Sequence, residues 1–244
     1  MKILFLQWDS SFFDRAVAKI DVSQNEEIDF IQVIDDCKKK NYKLIYIFIN
    51  SLNQKMVSKA TALFGKPINE KIFLEKKGFN HEFGKTAFHS TYNIELIGVN
   101  ITKDDYNQIL NLTISAGAFS RFKLDEQLGT KKFIEMYTFW VNSLINNKDY
   151  RILVIKDIAE KIIGFLSYKI IENGYKIDFM SIDETYQKKG LGKALLQSMY
   201  QELGTSRFDY IVTEIHLGNT AINKFFTSHG FTFKEASNIY HVHL

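Results

Sequence analysis

The stretch that most limits this chain is QKKGLGK, Gln187–Lys193, because two glycines stand where a helix must begin. The residues after it (Ala194, Leu195, Leu196, Gln197, Met199) suit a helix, and Lys176–Ile182 before it reads as a strand. Each glycine in a helical turn costs ~1 kcal/mol relative to alanine. A strand that turns into a helix leaves the first N–H groups of that helix without partners, and the helix dipole adds partial positive charge there. Bare backbone at Gly190 and Gly192 lets an anion approach those amides. Lys188 and Lys189 add long-range attraction. The loop therefore suits a phosphate or diphosphate. The plainer alternative, that the glycines only make a tight turn, stays open from the loop alone.

Two familiar phosphate loops are excluded by spacing. A dinucleotide-binding fingerprint needs Gly or Ala where Leu195 stands, and a Walker loop needs Gly at Gln187 and Ser or Thr at Ala194.

The rest of the composition sets broad limits. The 244 residues suit one large domain or two small ones. Lys plus Arg number 31 against 28 for Asp plus Glu, too even a balance to indicate nucleic acid or an anionic membrane as a partner. Cys37 is the single cysteine, which rules out an intrachain disulfide and fits a reducing compartment. The opening MKILFLQWDSSFF lacks the features of a signal peptide and reads as a first strand. Apolar runs such as Leu44–Ile49 fall far short of the ~20 residues that span a bilayer. A soluble cytoplasmic protein is expected, and a homodimer is compatible with it.

Changes of periodicity divide the chain, since Pro67 is the single proline. Strands are expected at Lys2–Gln7 and Leu44–Ile49, with helices at about Glu27–Lys40 and Asn53–Phe64. EKIFLEKKGFNHEFGKTAFHS reads as two strands around a turn. Helices follow over 102–117, with Thr102 or Asp104 near the N-cap, and over Thr130–Asn146. Strands are expected at Arg151–Lys156, Lys161–Ile171, Lys176–Ile182, Tyr210–His216 and Tyr240–Leu244, with a helix at Thr220–His229. The order is mixed α/β. Two domains are expected, an N-terminal α/β domain over 1–93 and a second over 94–244.

A second pattern accompanies the loop. Ile182 stands eight residues before Gly190, Tyr186 precedes Gln187, and one strand later come Asn219, Phe226 and Gly230-Phe231. Together these resemble the acetyl-CoA signature of the GNAT acetyltransferases. The resemblance implies a GNAT fold whose central strands splay apart, with acetyl-CoA as donor and the pantetheine lying in the gap like an added strand. It implies contacts from Met180 and Ile182, from Gln187, Lys188, Lys189, Gly190, Leu191, Gly192 and Lys193, and from Asn219 and Phe226. The order strand 44–49, helix 53–64, Gly78-Phe79 echoes strand 210–216, helix 220–229, Gly230-Phe231, which suggests a degenerate GNAT-like half in the N-terminal domain.

A narrower resemblance lies in WDSSFF and in GAFSRFKLDEQLGTKKFIEMYTFWVNSL (117–144). These look like the dTDP-fucosamine acetyltransferases, through Trp8, Phe12, Phe13, Ser120, Arg121, Phe122, Asp125, Tyr137, Trp140 and Ser143, with Gly78-Phe79 and Lys85 beyond. Those bacterial enzymes acetylate the 4-amino group of a dTDP-linked dideoxy sugar, which would place this chain in cell-surface polysaccharide biosynthesis with a nucleotide sugar as acceptor. In GNAT folds the first two helices and the loop joining them wall the acceptor site. Ser120, Arg121 and Phe122 are then substrate-binding residues, Arg121 as a bidentate phosphate ligand; the alternative is an Arg121–Asp125 pair that closes the loop. A peptide, protein or polyamine acetyltransferase and a non-catalytic acyl-CoA-binding protein are the competing functions.

The general acid of the dTDP-fucosamine enzymes is a tyrosine at the position that Phe226 occupies here, and phenylalanine donates no proton. His216, at the end of its strand and three residues before Asn219, is the leading acid–base candidate. His229 and Tyr240 stand behind it. His241 and His243 share a strand face but suggest no third ligand, so no metal is expected.

Overall fold

Leu44–Asn50, LIYIFIN, is apolar on both faces and nearly all of it is buried, as a strand covered on both sides must be. It forms the centre of one of two compact units in the computed structural model, which describes residues 2–77, 92–98, 101–204 and 209–244. The units interleave along the chain and do not divide at residue 93. The first comprises Met1–Leu74, Phe119–Lys132 and Ile215–Leu244, and the second Glu75–Ala118 and Phe133–Glu214.

In the first unit the strands run β1 (Ile3–Phe5), β2 (Val17–Val22), β3 (Leu44–Asn50), β10 (Thr232–His243), β4 (Asn69–Lys77) across the sheet. β2 is parallel to β3, whereas β10 runs antiparallel to it, from Ser237↔Asn50 to His243↔Leu44. Alternation along β3 sends Ile45, Ile47 and Ile49 to one face, where α2 (Phe30–Lys39) brings Phe30, Val33 and Cys37. α3 (Gln54–Phe64) adds Met56 and Ala60 to that core. Both helices begin on side-chain caps, Asp29 for Ile31 and Gln32, and Asn53 for Met56. Tyr46 points to the other face, where it meets Phe122 of the short helix α5 (Arg121–Leu124). Phe13, at the end of α1 (Gln7–Phe13), also packs on Phe122.

In the second unit the order is β9 (Tyr210–His216), β8 (Gly174–Ile182), β7 (Ile162–Ile171), β6 (Tyr150–Lys156), β5 (Asn93–Ile97). β5 to β8 are antiparallel in succession, and β8 and β9 are parallel. α4 (Lys103–Ala116) starts on a capping box in which Thr102 and Asp105 satisfy each other's backbone. It buries Ile109 and Leu112 with Val141, Leu144 and Ile145 of α6 (Gly129–Asn146) on Ile152, Val154, Ile162 and Phe165. α7 (Leu191–Leu203) buries Leu191, Ala194, Leu195, Leu196 and Met199.

The residue that follows α4, Gly117, is a glycine because nothing larger fits. A β-carbon there would stand 2.3 Å from Cζ of Tyr137, and Tyr137 is enclosed by Phe133, Trp140 and Phe179. Gly117→Ala should therefore cost ~1–3 kcal/mol by overpacking, read as a shift of the urea midpoint.

The first helix expected from sequence, Glu27–Lys40, starts three residues later, and the last strand is longer than Tyr240–Leu244. α1 and β2 were not expected. The turn around Gly78-Phe79 and Lys85 lie outside the described residues.

Candidate active site

β8 and β9 pair from Gly174↔Tyr210 to Ile177↔Thr213, and there the register stops, although β8 continues to Ile182 and β9 to His216. The Thr213 hydroxyl donates to the Ile177 carbonyl at 3.2 Å and closes the base of this opening. One residue later, in the ladder to β7, the pairs Ser167↔Phe179 and Tyr168↔Ile177 leave Asp178 unopposed, a β-bulge. The Phe179 N–H donates to Ser167 Oγ (3.2 Å) and the Asp183 N–H to the Ile163 carbonyl (2.8 Å). Residues 179, 181 and 183 therefore turn their peptide groups toward β7. By alternation Met180 and Ile182 turn theirs away, to the side where β9 no longer pairs. The bulge sets this parity, and a one-residue slip would reverse it.

Ser167 is fully buried and its oxygen holds the bulge. Ser167→Ala leaves the Phe179 N–H without this acceptor and should cost ~1 kcal/mol of stability, read as a fall in the urea midpoint.

Charged groups line the bulge. Lys176 bridges Asp178 (3.3 Å) and Glu214 (2.6 Å), and Lys169 bridges Asp178 (3.5 Å) and the Tyr150 hydroxyl (2.8 Å). Burial alone would lower the Lys176 ammonium, but Glu214 and Asp178 more than offset it, so it titrates above its ordinary value.

After β8, Asp183 caps a short turn over Glu184–Tyr186, and the Gln187 side-chain amide donates to the Ile182 carbonyl at 3.0 Å. The chain then enters α7 through Gly190, which has φ 79° and no side chain to cap the helix. Among the described residues no acceptor meets the amides of Leu191, Gly192 and Lys193. Gly190 and Lys188, Lys189 and Lys193 are exposed, while the Leu191 side chain is buried and leaves only its backbone to a ligand. Lys189 lies 4.8 Å from the Tyr186 ring, whose hydroxyl donates to Asp157 at 2.9 Å. The second unit thus brings together Met180, Ile182 and the whole of Gln187–Lys193.

The remaining expected residues lie in the first unit. Asn219 caps α8 (Thr220–Ser228) by accepting the Ile222 N–H at 3.2 Å. His216 Nδ1 lies 2.8 Å from Asn69 Oδ1, and Asn69 Nδ2 donates to the Phe119 carbonyl at 2.6 Å. With its nitrogen committed to Phe119, Asn69 can only accept from His216. His216 therefore carries a proton on Nδ1. Asn69 was missed from sequence: at a strand start it reads as a turn residue. Phe226, expected against the cofactor, is 1% exposed and packs on Phe225 and Phe231, so its ring fills the core and offers a ligand no surface. Tyr240 is equally enclosed, its hydroxyl 2.9 Å from Thr61. His229 closes α8, with Nδ1 2.7 Å from the Phe225 carbonyl.

The expected substrate triplet is turned inward. Ser120 caps α5 through Lys123 N, and Phe122 is 7% exposed. The Arg121 guanidinium carbon lies 4.0 Å from the ring centres of both Tyr46 and Phe122, and Nη1 is 2.9 Å from His241 Nε2. The partner foreseen as the alternative, Asp125, is reached through that histidine: His241 Nδ1 is 2.5 Å and His243 Nε2 2.9 Å from Asp125 Oδ2. Asp125 is also the third group that the sequence did not suggest beside the two histidines.

The splayed strands, the bulge and the bare helix N-terminus define the GNAT class of fold, in a mixed α/β protein. Residues 148–233 match the family model described as an acetyltransferase (GNAT) domain, and so form such a domain, the class that uses acetyl-CoA as acyl donor. A tandem GNAT protein from the clavulanic acid biosynthesis pathway, solved without AcCoA, superposes with a TM-score of 0.61 at 10% identity, covering 93% of this chain and 75% of that one. A Staphylococcus epidermidis protein described as functionally unknown gives 0.61 at 14% identity, over 93% and 82%. A GCN5-related N-acetyltransferase from Sphaerobacter thermophilus gives 0.54 at 12%, over 87% and 65%. At these identities the likeness is one of fold. No curated protein sequence matches the chain. None of these findings points to the dTDP-fucosamine enzymes. No described helix is long and apolar enough to cross a membrane.

Proposed function

We propose that the chain transfers an acetyl group from acetyl-CoA to an amine, with the pantetheine along Met180 and Ile182 and the pyrophosphate on the amides of Leu191, Gly192 and Lys193. One observation carries this: pairing of β8 with β9 ends at Ile177↔Thr213 while the peptide groups of Met180 and Ile182 face the vacated side. A ligand chain with alternating amides adds to such an edge as a strand does.

The amine nitrogen bonds to the thioester carbonyl carbon, the C–S bond breaks, and CoA leaves as thiolate. The amine proton goes to His216, the acid–base candidate at the end of β9. With Phe226 in place of a tyrosine, the thiolate, of pKa near ~8.5 if it behaves like a cysteine, departs without an acid at that position. We assign a dTDP-linked amino sugar as the acceptor, on the resemblance of residues 117–144. With Arg121 committed to His241, any contact with that acceptor falls to exposed side chains of the segment such as Lys123.

Thiol release from acetyl-CoA with a panel of dTDP- and UDP-amino sugars, peptides and polyamines tests both levels. Turnover with a sugar nucleotide is expected, with His216→Ala slowing it by ~10²-fold. Turnover only with peptides or polyamines overturns the sugar, and CoA binding without turnover on any amine overturns the enzyme.

A further inference from the structure

Asp125, His241 and His243 form a cluster of two imidazoles and a carboxylate, the donor set of many metal sites. The outer nitrogens argue otherwise. Arg121 Nη1 lies 2.9 Å from His241 Nε2, and Arg15 Nη1 lies 3.4 Å from His243 Nδ1. Arginine only donates, so both outer nitrogens must accept. Each neutral ring then carries its proton on the inner nitrogen, pointing at Asp125. A metal would need those inner lone pairs, and would force an N–H on each outer nitrogen against a guanidinium. Asp125, meanwhile, accepts from both histidines and from the Gln127 N–H at 3.1 Å.

We infer that this cluster is a metal-free clamp of fixed tautomers that fastens the segment Phe119–Lys132 to β10 and lets go in acid. The segment joins α4 to α6, yet it belongs to the first unit. His241 and His243 are two apart on β10 and so share a face. Their side chains are 2% and 14% exposed, and that of Asp125 is 5% exposed. Every charged or titratable group recorded around His241 bears on its proton. Asp125 favours it. Arg121 from α5, His243 beside it and Arg15 beyond His243 oppose it. Asp9 of α1 and Tyr46 of β3 act on Arg121. A second proton on His241 can go only to Nε2, where it would meet the Arg121 N–H, donor against donor and cation against cation. Burial first, then Arg121, push His241 down to about 4, with Asp125 opposing. Once protonated, the ring must give up Arg121, the contact that ties α5 itself to β10, and only the bonds to Asp125 remain.

Imidazole nitrogen NMR on the whole chain reads the tautomers directly. His241 should appear protonated on Nδ1 and His243 on Nε2, with no change on adding zinc. The opposite tautomer at His241, or zinc-shifted imidazoles, would overturn the clamp. Hydrogen exchange, corrected for intrinsic rates, reads the release. Amides of 119–132 should lose protection about tenfold more than those of β3 as pH falls from 6.5 to about 4. In His241→Gln, whose amide can donate to Asp125 and accept from Arg121 at any pH, that extra loss should vanish. An equal loss in the variant would sink the acid step; if the variant does not fold, the wild-type tautomers decide.

Discussion

Gly190→Val should weaken CoA binding by ~10–100-fold, or ~1.4–2.8 kcal/mol, while the protein stays folded. Gly190 sits at φ 79°, ψ 1°, and a β-carbon there would meet nothing within 4 Å. The penalty is therefore one of backbone and not of packing. A non-glycine residue in the left-handed region costs about 1–2 kcal/mol, and a β-branched residue is a clear outlier there. The exposed loop escapes that strain by rotating φ to negative values, which re-aims the amides of Leu191 and Gly192 that follow. Those amides are what a pyrophosphate needs, so affinity falls more than stability. Gly190→Asn is the control, because asparagine tolerates the left-handed region through local hydrogen bonds, and it should bind CoA within a few-fold of wild type. Calorimetric CoA titration with a parallel melting curve separates the effects. Wild-type affinity in the valine variant would show that the diphosphate sits elsewhere.

The loop was legible because its signal is local. A strand, two glycines at fixed spacing and a helix within about twenty residues mark it, and β9 runs over the expected Tyr210–His216. The capped helices were legible for the same reason, Thr102 and Asn53 announcing α4 and α3. α1 was hidden because Leu6 offers no side-chain cap and the helix has only seven residues. The start of β10 was hidden because Thr232–Glu235 are exposed and read as polar loop. Interleaved units are invisible to periodicity: the closing strand returns to pair with β3, almost two hundred residues earlier. The same non-locality explains the misreading of Arg121. Its chemistry suits a phosphate, and only the fold shows that β10 brings His241 to it across 120 residues of sequence.

That long-range cluster should also dominate the acid sensitivity of stability. Asp125→Ala leaves the inner N–H groups of His241 and His243 and the Gln127 amide without their acceptor, and removes the anion that offsets Arg121 and Arg15. Breaking a buried charge set from one side costs about 3–5 kcal/mol, seen as a large fall in urea midpoint at neutral pH. The pH dependence in wild type follows from His241. Its folded-state value is depressed from 6.5 to about 4, so between those limits the unfolded chain binds more protons than the native one, and stability rises with pH. The window is worth roughly 3 kcal/mol, full above pH 6.5 and lost on descending to about 4. Asp125, held well below the usual carboxylate range by hydrogen bonds from His241 and His243 against the cost of its burial, extends the loss to lower pH by the same sign. His241→Gln cannot take up a proton in either state. It should flatten the stability curve between pH 6.5 and about 4 while keeping most of the neutral-pH value. Should urea midpoints of that variant fall with acid as steeply as those of wild type, the slope belongs to other groups and His241 is not what acid acts on.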